Sequence, residues 1–138
     1  MPNGGTNQPI GIAWGWQSLT QSPPLNAPSE DPNYTYKKAL IVMSDGLNTQ
    51  DRWPSYGDGQ TQYNSQIDNR QKILCDNIKA AGITIYTMQV NTAGDPTSTV
   101  LQYCASGSDK FTMVTSSSQI MTAFAAIGTS LSKLRVAK

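Results

Sequence analysis

The sequence predicts a single doubly wound α/β domain in which parallel strands alternate with helices. Apolar or β-branched runs predict strands at 39–44, 83–90 and 110–115, and a helical stretch separates each strand from the next. Strands joined by single helices form right-handed parallel crossovers, so the three strands should lie side by side in chain order. The length of 138 residues fits one domain.

The first predicted strand is an apolar run that ends at a carboxylate. Residues Ala39 to Met43 are all apolar and lie between Lys38 and Asp45. An uninterrupted run of this kind is typical of a parallel strand that is covered on both faces. The second run, ITIYTMQV, favours a strand because it is rich in β-branched residues.

Four helices are predicted around these strands, at 7–19, 66–81, 96–105 and 117–134. Pro9 suits the first turn of the first helix, and the spacing of Ile10 and Trp14 predicts that both side chains face the core. The third helix is expected to begin with Asp95 as its cap and Pro96 as its first residue.

The two longer helices carry apolar stripes at helical spacing. The stripe of the second helix consists of Ile67, Gln71, Leu74, Ile78 and Ala81. The stripe of the fourth helix consists of Ile120, Phe124, Ile127, Leu131 and Leu134. These faces are expected to pack on the sheet, and Gly82 is expected to end the second helix.

Charge and residue content exclude several classes of function. Ten Lys and Arg balance nine Asp and Glu, and the net charge of +1 leaves no basic surface for nucleic acid or a membrane. The sequence has no His, which excludes Ser-His-Asp, Cys-His and His-based zinc chemistry. It also lacks the P-loop and dinucleotide-binding motifs. We therefore expect a binding module and not an enzyme.

The sequence carries no targeting or membrane segment of its own. No run approaches the roughly 20 apolar residues of a membrane span, and the N-terminus MPNGGTNQ lacks the regions of a signal peptide. The polarity of the chain comes mainly from uncharged Ser, Thr, Asn and Gln, a bias that suits an exported protein. A targeting segment of an exported protein would then lie outside this chain.

The sequence Ser44-Asp45-Gly46 at the end of the first strand has two interpretations. Ligands of open α/β sheets bind beyond the carboxyl ends of the strands, and a carboxylate beside a hydroxyl suits Mg²⁺ there. Alternatively, Asp45 stabilises a turn through its own backbone, as Asp before Gly often does. The bare tripeptide favours the turn.

A long polar segment at 46–65 follows this carboxylate and has no periodicity, which is typical of a functional or mobile loop. Trp53 in this loop could belong to an aromatic platform for carbohydrate or peptide. Asp45 with Asp51 or Asp58 could provide the paired carboxylates of a hydrolase. A hydrolase-type or carbohydrate-binding domain that uses this loop is therefore the alternative function.

The two cysteines, Cys75 and Cys104, are too few for a zinc site and do not form a C-x-x-C pair. They lie in the second and third predicted helices, which are crossovers of the same hand and pack on the same face of the sheet. A disulfide between them is geometrically reasonable, and two free buried thiols are the alternative.

Two motifs resemble the second half of a von Willebrand factor A domain: GGT at 4–6 before a helix, and ALIVMSDG at 39–46. Further runs, among them GGTNQPIGIAWGWQSL, LCDNIKAAG, ITIYTMQV and YCASGSDKF, resemble the C-terminal region of TadG-type Flp pilus assembly proteins. This similarity extends over nearly the whole chain.

The resemblance implies a three-layer, Rossmann-like αβα fold with a metal-ion-dependent adhesion site for Mg²⁺ or Mn²⁺. Thr6 matches the family's metal-binding Thr, and Asp45 matches the Asp at the end of its fourth strand, with Ser44 nearby. The implied function is a non-catalytic protein-interaction or adhesion module, with partners in the pilus or its assembly machinery. The implied location is extracytoplasmic, with a membrane anchor outside this chain, and this favours the disulfide between Cys75 and Cys104.

The sequence departs from the family because no strand is followed by its D-x-S-x-S metal-binding motif. The segment Asp95-Pro-Thr-Ser-Thr99 has a similar spacing but is expected to begin a helix. Residues 1–138 are therefore expected to form a partial domain that contains two of the metal-binding positions and binds little or no metal alone. The strand formed by Ala39, Leu40, Ile41, Val42 and Met43 should then lie at the edge of the sheet and mediate self-association, such as a homodimer.

Overall fold

The computed structural model describes residues 6–48 and 64–133. The elements in chain order are α1 (Gln8–Gln17), β1 (Ala39–Ser44), α2 (Asn64–Ala80), β2 (Thr84–Val90), α3 (Thr99–Cys104), β3 (Phe111–Val114) and α4 (Ser117–Lys133). One short 3-10 turn, Ser108–Lys110, precedes β3. Within the described residues, helices and strands therefore alternate as the sequence predicts.

The three strands form one parallel sheet in the order β1-β2-β3. Ala39 of β1 lies opposite Thr84 of β2, and Thr87 of β2 lies opposite Phe111 of β3. The α/β class, the parallel pairing and the predicted strand order are confirmed. β2 is central and almost fully buried, whereas β1 is an edge strand of the sheet that the described residues form.

The side chains of alternate strand residues enter two separate cores, because successive residues of a strand point to opposite faces. One core lies between the sheet and α1, α2 and α3, and includes Ile12, Val42, Ile78 and Leu101. The other lies under α4 and includes Met88, Val114 and Ile127. The result is three layers, with three helices on one face of the sheet and one helix on the other.

The first helix turns a different face to the sheet from the predicted one. Ile12 is only 3% exposed, whereas Ile10 and Trp14 are each 54% exposed. A side chain at position 15 would meet Leu40 Cδ1 at 2.7 Å, so Gly15 allows the helix backbone to approach β1 closely. The prediction that Ile10 and Trp14 face the core is wrong because the helix packs through Ile12 and Gly15, with Trp16 partly buried against the core.

Two of the predicted helix stripes are only partly correct. In α4, Phe124 is exposed and its neighbour Ala123 is buried, so the helix packs through its smaller side chain. In α2 the stripe is confirmed at Ile67, Gln71 and Ile78, but Ala81 is exposed just after the helix end. Leu134 lies outside the described residues.

The helix ends show one confirmed and one wrong prediction. Gly82 adopts a φ of 77° just after α2, a conformation that glycine reaches without strain. The third helix begins later than predicted, at Thr99, with Ser98 as its cap: Leu101 N–H donates to Ser98 Oγ over 3.3 Å. Asp95 is not the cap, because Asn91 holds the turn there and accepts hydrogen bonds from the backbone of Gly94 and Asp95.

Candidate functional site

A groove runs along the open edge of β1 and has a volume of about 690 Å³. Its floor is the strand itself, from Leu40 to Ser44, and the start of α1 forms one wall. Ile120 of α4 and Val90 of β2 contribute on the other side of the sheet. The lining is mainly apolar, and among the described residues in it Asp45 alone is charged.

Asp45 lies at the carboxyl end of β1, as predicted, and its side chain is exposed. It makes no hydrogen bond or ion pair to any residue that the structure describes. Thr6 lies two residues before α1 and lines the same groove. The fold therefore brings both predicted metal-binding residues, 39 positions apart in the sequence, to one groove.

Ser44 is buried and its hydroxyl is occupied by other partners. Its Oγ accepts a hydrogen bond from Gln8 Nε2 over 2.9 Å and donates to the carbonyl oxygen of Gly46 over 3.1 Å. A hydroxyl oxygen has two lone pairs, and these accept from Gln8 Nε2 and, over 3.4 Å, from the backbone N–H of Gly46. Ser44 thus fixes the turn beside Asp45, and it would have to lose these bonds to reach a metal.

A network of buried amides joins the groove to α2. Gln8 Nε2 also donates to the carbonyl oxygen of Gly46 over 2.9 Å, and Gln8 Oε1 accepts from Gln71 Nε2 over 2.9 Å. Asn48 bonds to both of these residues: its Oδ1 accepts from Gln8 N–H over 2.9 Å, and its Nδ2 donates to Gln71 Oε1 over 2.8 Å. The same Nδ2 also donates to Asp68 Oδ1 over 2.7 Å. These bonds tie the start of α1 and the segment after β1 to one another, and so they fix the surroundings of Thr6 and Asp45.

The sequence gives one indication of this amide network. Gln71 occupies a position in the apolar stripe of α2 where a Leu would be ordinary, and it is fully buried. A buried amide needs hydrogen-bond partners, so its place in the stripe predicts a polar network. Its partners Gln8 and Asn48 lie on other elements, and no local pattern identifies them.

The donor set at the groove fits a divalent cation only in part. Mg²⁺ requires six oxygen ligands in octahedral geometry. Asp45 supplies a carboxylate and Thr6 a hydroxyl, and the described part of the chain contains no group of three or more His, Cys, Asp or Glu that could hold a metal. Two protein oxygens from the described residues would leave most of the shell to water.

The cysteines form the disulfide that the resemblance favours. Cys75 of α2 and Cys104 of α3 are bonded, with their Cα atoms 5.2 Å apart, and both are fully buried in the core on the α1 side of the sheet. The bond links the two crossover helices that lie next to each other on this face. Neither cysteine lines the groove, although they share a core cluster with Ile12 and Val42, which do.

The perturbed pKa values of the described residues belong to Tyr103, Asp109 and Lys110, none of which lines the groove. Tyr103 donates a hydrogen bond to Asp76 over 2.8 Å, and this bond raises the pKa of Tyr103. Lys110 donates to Asp109 over 2.7 Å, which lowers the pKa of Asp109 and raises the pKa of Lys110. Catalytic sites tend to collect strongly shifted groups in a cleft, and these pairs lie on the open surface.

The residues proposed for the alternative functions are distributed differently. Asp51, Asp58 and Trp53 lie outside the described residues. Trp14 is exposed on α1, whereas Trp16 is half-buried against the core.

No helix in the ranges 6–48 and 64–133 is both long and apolar enough to cross a membrane.

Comparison with known proteins identifies no relative of this chain. Neither the family models, nor the curated proteins, nor the solved structures include a match.

Proposed function

We propose that this chain is part of a non-catalytic protein-interaction module of the von Willebrand factor A type, similar to TadG pilus assembly proteins. One observation carries the proposal: Asp45, which has no partner among the described residues, lies at the carboxyl end of β1 in the same groove as Thr6. Such a groove suits a protein ligand because its floor is apolar and Asp45, the charged residue of its described lining, lies at one end.

The two oxygen donors correspond to an incomplete metal-ion-dependent adhesion site. When Mg²⁺ or Mn²⁺ is bound in the intact domain, it supplies a positive charge that a carboxylate of the partner protein can bind. Asp45 would hold the metal through its carboxylate, and Thr6 would contribute its hydroxyl. Ser44 and Gln8 act indirectly, because their hydrogen bond fixes the turn that carries Asp45.

An exported location is part of this proposal. A buried disulfide between Cys75 and Cys104 persists in oxidising compartments and is rare in the cytosol. A periplasmic or cell-surface protein, anchored by a segment outside this chain, would meet its partners in such a compartment. Partners from the pilus or its assembly machinery are consistent with that location.

Titration with Mg²⁺ and Mn²⁺ tests the metal site directly. We expect the amide NMR signals of Thr6 and Asp45 to shift with a dissociation constant of about 1 mM or weaker, because two protein ligands hold the ion poorly. Asp45→Asn should abolish these shifts. Asp95→Asn is the matched control, since Asp95 is also an exposed carboxylate in a loop that follows a strand.

Two results would count against the proposed site. Saturable binding at micromolar metal would contradict a site in which two protein ligands hold the ion. Equal shifts in the Asp45→Asn and wild-type proteins would remove Asp45 from the site.

A further inference from the structure

One asparagine of the sequence stands in the acceptor pattern for an N-linked sugar. The pattern is Asn followed two residues later by Ser or Thr, with any residue except Pro between them. Of the nine Asn residues only Asn33 meets it, through Tyr34 and Thr35. The sequence therefore offers a single position at which this pattern directs a sugar to an amide nitrogen.

Asn33 lies on the surface, in the long connection between α1 and β1. Every residue from 28 to 37 is exposed, including both Asn33 and Thr35. The Thr35 hydroxyl forms no hydrogen bond to the described residues. Both side chains of the acceptor pattern are thus open to an enzyme that approaches from solvent.

A tight turn presents the Asn33 side chain. Tyr34 N–H donates to the carbonyl oxygen of Asp31 over 3.1 Å and closes a four-residue turn, in which Pro32 has the second position that proline favours. Asp31 Oδ1 accepts from Asn33 N–H over 2.9 Å and from Asn33 Nδ2 over 2.8 Å. The amide is therefore held by an exposed carboxylate and not by packing in the core.

We propose that Asn33 is a site of N-linked glycosylation, with a sugar activated as a diphosphate ester as the donor. Asn33 Nδ2 forms a bond to the anomeric carbon of the sugar. The bond from that carbon to the phosphate oxygen breaks, and the diphosphate leaves with the bonding electron pair. The amide loses one proton to a base of the transferase and keeps the other, so it can still donate to Asp31.

Two exposed tyrosines beside Asn33 provide a surface for the attached sugar. Tyr34 is 70% exposed and Tyr36 is 47% exposed. The Tyr36 hydroxyl accepts from the backbone N–H of Asp31 over 3.1 Å, so the end of this ring lies at the turn that carries Asn33. Aromatic rings present large apolar faces, on which the C–H faces of a sugar can pack. The glycan would reduce the apolar area that this loop exposes to water.

The position of Asn33 is compatible with the adhesion site proposed above. Its loop leads into the amino end of β1, whereas Asp45 follows the carboxyl end. None of the residues 18–38 belongs to the described lining of the groove, so a glycan at Asn33 leaves the groove open. The buried disulfide is consistent with an oxidising compartment, and secreted proteins carry sugars at this pattern in surface loops. The inference uses the exported location in the proposed function but no part of the metal site.

Mass spectrometry of the full-length protein, purified from the cells that naturally produce it, tests the site. We expect the peptide that contains Asn33 to carry an added sugar mass, and fragmentation that keeps the sugar attached should assign this mass to Asn33. An oligosaccharide would identify a lipid-linked donor, whereas a single hexose would identify a nucleotide sugar. Either result supports the proposed bond.

Three variants made in the same cells test whether the acceptor pattern directs the modification. Thr35→Ala leaves the amide in place but removes the hydroxyl of the pattern, and the added mass should be lost. Thr35→Ser restores a hydroxyl and should restore the mass. Asn77→Gln is the matched control and should keep the mass, since Asn77 is exposed on α2 but is followed by Ile78 and Lys79.

Three outcomes would overturn the proposal. Asn33 without sugar in the natural protein would show that no transferase uses it. Sugar that persists in Asn33→Gln would place the modification on another residue, such as the Thr35 hydroxyl, and sugar that persists on Asn33 in Thr35→Ala would show that the pattern does not direct it. Free thiols at Cys75 and Cys104 in the same sample would instead count against the exported location, so the two failures are distinguishable.

Discussion

Replacement of Gln71 tests whether the buried amide network holds the groove in place. Gln71→Leu keeps the approximate size of the side chain but removes its amide. Gln8 Oε1 then loses its hydrogen bond from Gln71, and Asn48 Nδ2 loses one of its two acceptors. Gln8 and Asn48 are both buried, so neither can replace the lost hydrogen bond with one to water.

The expected cost follows from those two unpaired groups. A buried donor or acceptor that loses its partner costs about 1–3 kcal/mol. Part of this destabilisation is offset, because the wild-type protein must desolvate the fully buried Gln71 amide on folding and the Leu variant has no such amide. The free energy of unfolding should therefore fall by about 2–4 kcal/mol, a large part of the stability of an ordinary domain.

Gln71→Glu adds a signature in pH that a merely structural change would not produce. A protonated carboxyl at position 71 can still donate to Gln8 Oε1, whereas a carboxylate can only accept. Burial raises the pKa of the introduced carboxyl above the ordinary value of about 4.3. Asp68 acts in the same direction, because its carboxylate accepts a hydrogen bond from the same Asn48 side chain and therefore lies close by. The folded state then binds more protons than the unfolded state, so stability falls by about 1.4 kcal/mol per pH unit from pH 4.3 up to the folded pKa.

Urea denaturation followed by circular dichroism, at several pH values between 4 and 7, measures both effects. The matched controls are Gln66→Leu and Gln66→Glu, because Gln66 is exposed on the same helix. These controls should change stability by no more than about 0.5 kcal/mol. The reasoning fails if Gln71→Leu is as stable as the wild type, or if Gln71→Glu shows the same pH dependence as Gln66→Glu.

Two further predictions concern the rest of the molecule. Replacement of both Cys75 and Cys104 by Ala should lower the free energy of unfolding by about 3.5 kcal/mol, since the bond closes a loop with a sequence separation of 29 residues; urea midpoints equal to those of the oxidised wild type would contradict this. Lys110→Met should raise the pKa of Asp109 towards its ordinary value by removing the hydrogen bond that lowers it. The carboxyl shift of Asp109 in an NMR titration measures the change, and an unaltered midpoint would assign the low pKa to another cause.

The sequence predicts the strands well because their signal is local. Residue types alone favour strands at 39–43 and 83–90, whatever the rest of the chain does. The helices between the strands then make them parallel neighbours in chain order. The same reasoning places Asp45 at a carboxyl end of the sheet. The observed strand order and the position of Asp45 agree with it.

The faces and caps of the shorter helices were harder to predict. On α1, Ile10 and Trp14 are exposed because the helix packs through Ile12 and Gly15, and Gly15 lies against Leu40. The apolar residues of α1 alone do not distinguish these two faces. On α3 the cap is Ser98 and not Asp95, because a turn held by Asn91 delays the helix. On α1 a contact distant in sequence makes the choice, whereas on α3 the choice is made by hydrogen bonds that reach only three and four residues along the chain.

By itself, the sequence determined an α/β chain with three parallel strands in order, a carboxylate at the end of the first strand and two cysteines in neighbouring crossovers. Only the tertiary structure joined Cys75 to Cys104, placed Thr6 and Asp45 in one groove, and bonded Gln8 to both Ser44 and Asn48. The physical reason is the range of the interactions. Hydrophobic period and strand propensity act within a few residues, whereas a buried amide is satisfied by whichever groups the packed fold brings to it.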